Sequence, residues 1–344
     1  LKLASSPASQ KALQLVEGLQ QLFVNQLSSM GVEARFEKSE WLRSNGNCGG
    51  GWRYGCRNQP YFNTASINVS QVHYDDFPEK KLSSATAISS IVHPHSPFAP
   101  SLHLHISWTE MRDGNSYWRI MADLNPSLSG EPVQPFKELF NFIEPELREF
   151  GFRQGDHYFD IPALKRKRGV SHFYLENYRS ECSEKDSTLA QAVGEKVIRY
   201  YCERLNHVYS SEQSISERDM SDQLAYHTLY FFQVLTLDRG TTSGLLIHNE
   251  NDVGILGSIP KFVNLDVLKT WLTEKPLPEI QATLMGELIS TLAKSSTGSK
   301  IEIDDELKVA LAGTVRRHYQ QYPESLKYQA SAFSRTSTVE NHGS

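Results

Sequence analysis

Hydrophobic and polar positions follow two rhythms along this chain. Between Lys11 and Met30, the apolar residues Ala12, Leu15, Val16, Leu19, Leu22, Phe23 and Leu27 recur at three- and four-residue steps, which predicts an amphipathic helix. From residue 65 the period becomes two. Ala65, Ile67, Val69 and Gln71 alternate with Ser66, Asn68 and Ser70, as in a strand with one buried face. Ala87–Val92, Leu102–Thr109 and Tyr117–Met121 read as further strands, and an Asp113-Gly114-Asn115 turn joins the last two as a hairpin. Helical spacing returns over Pro135–Phe150 and Thr188–Val208. Tyr226–Leu237 is aromatic and β-branched; it predicts a buried strand, with Leu245–His248 as its hairpin partner. Leu265–Leu272, Glu279–Ala293 and Asp305–Tyr322 read as helices. Strands followed by helices, rather than strand and helix in alternation, predict one α+β domain. Its bounds are set at 11–330, between a short tail (1–10) and a Ser/Thr-rich, disordered tail (331–344).

Composition narrows the class. The 344 residues include 16 Phe, 15 Tyr and 5 Trp, enough to build a large core. The formal net charge of -5 gives no basic footprint, so nucleic acid is not expected as a partner. No apolar run approaches the roughly 20 residues of a membrane span. Cys48, Cys56, Cys182 and Cys202 form no Cys-x-x-Cys pair. Such sparse usage fits a reducing, cytoplasmic setting, or a plastid or mitochondrion if a targeting segment has been removed.

The densest group of candidate chemical side chains is His93, His95, His103 and His105. His103 and His105 are two apart on a predicted strand and so share a face, with Leu102, Leu104 and Ile106 on the other. That face is either solvated or the wall of a cleft to which Asp123, on the partner strand, adds a carboxylate. Two imidazoles and a carboxylate can hold a metal or perform acid–base chemistry without one. Lys165-Arg166-Lys167-Arg168-Gly169 is either a solvated loop or a carboxylate-binding edge. Asp238-Arg239-Gly240-Thr241 is either a structural ion pair or part of a site. Gly49-Gly50-Gly51 lacks the lysine and spacing of a P-loop.

Taken in order, these segments resemble the oxygen-dependent coproporphyrinogen III oxidases. The similarity is carried by Glu37–Trp41 with Gly49–Gly51, Ile67–His73, Ala87–Pro94, Ala99–His103, Trp118, Asp123-Leu124-Asn125-Pro126, Arg168-Gly169-Val170, Leu237–Thr241 and Ile255–Pro260. The resemblance implies a large antiparallel sheet flanked by helices on both faces, with a tetrapyrrole cleft between sheet and helices. It also implies a homodimer that needs no cofactor. Oxygen would be the oxidant as propionates of a porphyrinogen become vinyl groups in haem biosynthesis. By the same resemblance His103 falls on a proton donor, Asp123 on a pyrrole-facing aspartate and Ser89 on a substrate-contacting serine. Arg168, Asp238 and Arg239 fall on further cleft positions, of which Asp238 and Arg239 join the catalytic candidates.

The chain departs from the family pattern at chosen places. His105-Ile106-Ser107 stands where the family has Asn-Tyr-Arg, so His105 and Ser107 take substrate-binding positions without the arginine. Arg119 is an added cation that compensates, and Ile120 and Met121 replace glycines and fill space near the substrate. Two other functions stay open. One is a metal-dependent oxygenase or decarboxylase on a different carboxylated substrate, using His103, His105 and Asp123. The other is a tetrapyrrole-binding paralogue without catalysis.

Overall fold

In a computed structural model, which describes residues 1–31, 34–57, 60–248, 250–295 and 298–333, the period-two segments assemble into one seven-stranded sheet. Strands β1 (Glu37–Leu42), β2 (Gly49–Arg57), β3 (Phe62–His73), β4 (Leu82–Pro94), β5 (Ser101–Met111) and β6 (Tyr117–Asn125) lie side by side in sequence order, each antiparallel to the last. The short strands β7 (Asp160–Ile161) and β8 (Arg166–Lys167) pair apart from it, and β9 (Ser171–Tyr178) closes the sheet beside β6. The glycine-rich segment, not expected as a strand, opens β2. A Cβ at Gly49, Gly50 or Gly51 would overlap the carbonyl oxygens of Gln71, Trp41 and Val69 respectively, so only glycine lets the neighbouring strands approach.

One face of the sheet is apolar. Ile67, Val69, Ile88, Leu104, Ile106, Ile120 and Leu124 pack beneath α1 (Pro7–Ser28) and α4 (Ser183–Tyr209), and Phe173 packs against Phe140 and Phe152. Ile120 therefore points away from the polar face and fills no space there; Met121 does. Helix α1 begins at Pro7 rather than Lys11, because the Ser6 side chain caps it and proline suits the first turn. The helix expected over Pro135–Phe150 is two, α2 (Gln134–Glu138) and α3 (Pro145–Tyr158). Glu144, held extended before Pro145, separates them.

The opposite face is covered by a second helical layer. It comprises α5 (Glu217–Thr236), α6 (Arg239–Ile247), α7 (Asp252–Ile255), α8 (Leu265–Glu274), α9 (Glu279–Ala293) and α10 (Asp305–Gln321), with the hairpin of β10 (Phe262–Asn264) and β11 (Lys300–Glu302). Leu229, Phe232, Leu245, Leu288 and Val315 centre its core. Here two expectations fail. Tyr226–Leu237, read as a strand, is the second half of α5 and its cap, and Leu245–His248, read as its partner, ends α6. Every residue from Tyr226 to Thr236 is buried, so this helix shows no polar stripe and no 3.6-residue period. The local signals were at its start: Ser216 and Asp219 form a reciprocal capping box. The C-terminal tail from 334 to 344 lies outside the described residues. Among the described residues no helix is long and apolar enough to cross a membrane.

Candidate active site

The polar positions of the central strands do not face bulk water. They floor a cleft of about 270 Å³ roofed by α5, α6 and the segment around Ser258. Ser89, His103, His105, Arg119, Arg168, Asp238 and Arg239 all line it. Ser107 lines a connected recess of about 200 Å³ together with His105 and Arg119. The period of two thus placed the strand candidates on one face, and the second helical layer turned that face into a cleft.

His103 and Asp123 are direct partners across β5 and β6. Their side chains meet, with His103 Nδ1 2.8 Å from Asp123 Oδ1. Asp123 is wholly buried, whereas the His103 side chain keeps 16 % exposure. The other Asp123 oxygen accepts from Arg168 Nη2 at 2.8 Å and from Asn125 Nδ2 at 2.6 Å. Burial alone would raise the Asp123 carboxyl; Arg168, His103 and Asn125 outweigh it and hold the group well below the usual carboxylate range. An ionised Asp123 accepts the Nδ1 proton, which leaves His103 Nε2 as the ring's free nitrogen.

Arg168 is the one residue of the basic run that turns inward; Lys165, Arg166 and Lys167 are exposed. Its guanidinium is sandwiched between the rings of Phe159 and Tyr230, 4.4 and 4.8 Å from their centroids, and Nη1 donates to Gln233 Oε1 at 2.7 Å. Gly169 follows in a left-handed conformation (φ 80°), and a Cβ there would overlap the Asn125 amide. His172 holds the backbone behind Arg168: Nε2 lies 2.5 Å from the Arg168 carbonyl oxygen and Nδ1 2.8 Å from Asp156.

A second charged group lies behind Arg119 and Arg239 of the lining. Glu176, on β9, is buried and takes a hydrogen bond from Arg239 and one from the Tyr174 hydroxyl at 3.2 Å; Arg119 Nη2 lies 3.7 Å away. Glu176 Oε2 and Arg119 Nε are buried without a partner among the described residues. Arg119 lies directly across from Ser107. Asp238, next to Arg239, has structural duties: Oδ2 caps α6 through Thr241 N at 2.7 Å, and Oδ1 accepts from the Tyr158 hydroxyl at 3.1 Å. His105 turns to Ser107 Oγ at 3.1 Å, and enclosure with Arg119 and His103 pushes its pKa down to about 3. Ser89 sits between Asn68 and His105 on the neighbouring strands.

The four clustered histidines part company. His93 is buried in contact with Ser101 Oγ (2.9 Å) and the Ser258 carbonyl (3.1 Å), and His95 is exposed. Among the described residues no three His, Cys, Asp or Glu side chains group as a metal site. The alternative set of His103, His105 and Asp123 is otherwise engaged: Asp123 is filled by His103, Asn125 and Arg168, and His105 bonds Ser107. Glu176, Tyr158, Tyr174, Tyr230, Gln233 and His172 were not picked out from sequence. The signal for two of them was present, since His172 and Glu176 alternate with Phe173 and Leu175 along β9.

The site is thus an acid–imidazole–guanidinium array on an antiparallel sheet, beneath a roofed cleft. The sequence profile of the coproporphyrinogen III oxidases matches residues 11–276, and the chain belongs to that family. Among its relatives is the oxygen-dependent coproporphyrinogen-III oxidase of Prochlorococcus marinus (strain MIT 9313), 27 % identical over 296 residues, which span 74 % of this chain and 83 % of that protein. The protein of the same description from Synechococcus sp. (strain CC9902) is 25 % identical over 304 residues, 76 % of this chain and 82 % of its own. The mitochondrial one of Mus musculus is 26 % identical over 253 residues, 66 % of this chain and 56 % of its own.

Proposed function

We propose that this chain is an oxygen-dependent oxidative decarboxylase of haem biosynthesis that converts propionates of coproporphyrinogen III to vinyl groups. The observation that carries the reading is the His103–Asp123–Arg168 array, with one imidazole facing the cleft. For each side chain converted, the propionate, one O2 and one proton give a vinyl group, CO2 and H2O2. Oxygen takes the two electrons, so the reading needs no metal or organic cofactor. Porphyrinogens are electron-rich enough to react with oxygen once a pyrrole N–H is lost. The protein's task is then to position the ring and move protons.

In this reading His103 Nε2 is the group that exchanges a proton with the substrate. Asp123 acts through it, holding the ring orientation and stabilising its protonated form. This departs from the expectation of a pyrrole-facing aspartate, because both Asp123 oxygens already have donors. Arg168 is the counter-charge that keeps Asp123 ionised. Arg119 and Arg239 share Glu176 beside the cleft, and their remaining guanidinium N–H groups can turn to a substrate carboxylate. Ser89, His105 and Ser107 offer the neutral polar contacts. The active form is a homodimer, cytoplasmic or within an organelle.

The test is anaerobic mixing of the purified protein with coproporphyrinogen III, followed by air, with CO2 and product mass followed together. A vinyl product with matching CO2 is expected. His103→Gln should lower kcat by about 100-fold or more, the usual range for a lost acid–base group. Porphyrin binding without product, in the wild type, would instead mark a non-catalytic paralogue.

A further inference from the structure

Charges along the cleft do not balance evenly. Arg168 is matched by Asp123, and Arg119 and Arg239 have Glu176 and Asp238. Arg43 is different. Its guanidinium donates to the Tyr74 hydroxyl at 2.5 Å, lies 5.0 Å over the Tyr74 ring, and approaches His248 Nε2 to 3.4 Å. None of these partners is a carboxylate, and among the described residues no acidic group lies within ion-pair distance of it. Arg43 lines a recess of about 120 Å³ with Trp41, His248 and Asn251, and those three residues also line the main cleft. Glu250 borders the same recess without pairing to Arg43.

The backbone holds this arginine in place. Arg43 N donates to the Gly49 carbonyl at 3.0 Å, and the Arg43 carbonyl accepts from Gly46 N at 2.8 Å and Cys48 N at 3.3 Å. Ser44, Asn45 and Gly46 follow with φ of 47°, 53° and 85°, a turn closed by the main chain rather than by the Arg43 side chain. Beside it the Trp41 and His248 rings pack edge to face with centroids 5.9 Å apart. The result is an aromatic wall next to an arginine that has no carboxylate partner among the described residues.

We propose that Arg43 is a substrate-anchoring residue that binds a peripheral carboxylate of the macrocycle at the mouth of the cleft. The inference rests on the preceding reading that the cleft takes a polycarboxylate tetrapyrrole. A carboxylate carried by a pyrrole ring against Trp41 and His248 meets the guanidinium, and the rest of the ring system reaches inward toward Arg119 and Arg239. The recess then adds a cation without a paired carboxylate beside the main cleft, suited to a substrate with acidic groups around its perimeter.

The test is a fluorescence titration with coproporphyrin III, the stable oxidised tetracarboxylate, on the wild type and on Arg43→Ala, Arg43→Lys and Lys185→Ala, at low and high salt. Lys185 is exposed on α4, away from the cleft, and serves as the control. Arg43→Ala should weaken binding by about tenfold or more at low salt, the scale of one charged hydrogen bond. Arg43→Lys should lie between, Lys185→Ala should match the wild type, and the differences should shrink at high salt. Binding by Arg43→Ala within twofold of the wild type at low salt would overturn the proposal and leave the activity reading intact. Absence of coproporphyrin binding by the wild type would overturn both.

Discussion

Asp123 shows how a single residue can be forced into ionisation in a place that opposes it. Taking a carboxylate out of water costs several kcal/mol, and the group keeps its charge only because His103, Asn125 and Arg168 converge on it. Arg168 is equally dependent on its surroundings, with 1 % exposure and two aromatic rings about it. Removing one partner strands the other. Arg168→Met is therefore expected to cost about 3–5 kcal/mol in chemical denaturation, with Asp123→Leu in the same chain recovering part of the loss. Of this array, His103, Asp123 and Arg168 were all legible in the sequence, but their mutual bonding was not. Strand register put His103 opposite Asp123, whereas Arg168 arrives from a loop 45 residues away in the chain, a distance no periodicity encodes.

At the scale of elements, strands with one apolar and one polar face were readable because each carries its own contrast. Ile67 and Val69 against Ser66, Asn68 and Ser70 is a local statement about burial. Helix α5 carries no such contrast between Tyr226 and Thr236, since sheet, α6, α8 and α9 leave it no solvent side. Aromatic and β-branched composition then pointed to the wrong element, and tertiary burial overrode it. What identifies the helix is its solvent-exposed beginning. Ser216 accepts from Asp219 N at 3.2 Å while Asp219 reaches back to Ser216 N at 2.9 Å. Ser216→Ala should lower stability by about 1 kcal/mol, read as a shift in the urea midpoint without a change in slope.

For the whole molecule, the decisive arrangement is that two helical layers dock on opposite faces of one sheet, the first mainly through apolar contacts with a few buried hydrogen bonds at Ser9 and Gln20. The second meets imidazoles. His93 and His227 lie between sheet and helices, their ring centroids 5.2 Å apart. Burial pushes the His227 pKa down to about 3 and lowers that of His93 further below its ordinary value than neighbouring cations alone would. The sign follows. Both rings stay neutral when folded and take up protons once unfolded, so stability is present above about pH 6.5 and is lost as pH falls toward 3. With His105, whose pKa is also held at about 3, three such groups give a slope of up to about 4 kcal/mol per pH unit, visible as a steep fall of Tm between pH 6.5 and 5. His227→Gln should flatten that fall. Sequence reading grouped His93 with His103 and His105 by nearness in the chain. In the fold His93 belongs to the docking surface, because Ile91 and His93 reach the second core that β5 does not.

The way Ser107 and Arg119 face each other has a consequence for descent. On an antiparallel sheet, a functional group can migrate from one strand to the next with hardly any displacement in space, while the residues alternating with it go on filling the opposite core undisturbed. A lineage can therefore redraw what its cavity recognises by small lateral exchanges, and aligned positions will understate how much of the ancestral chemistry survives.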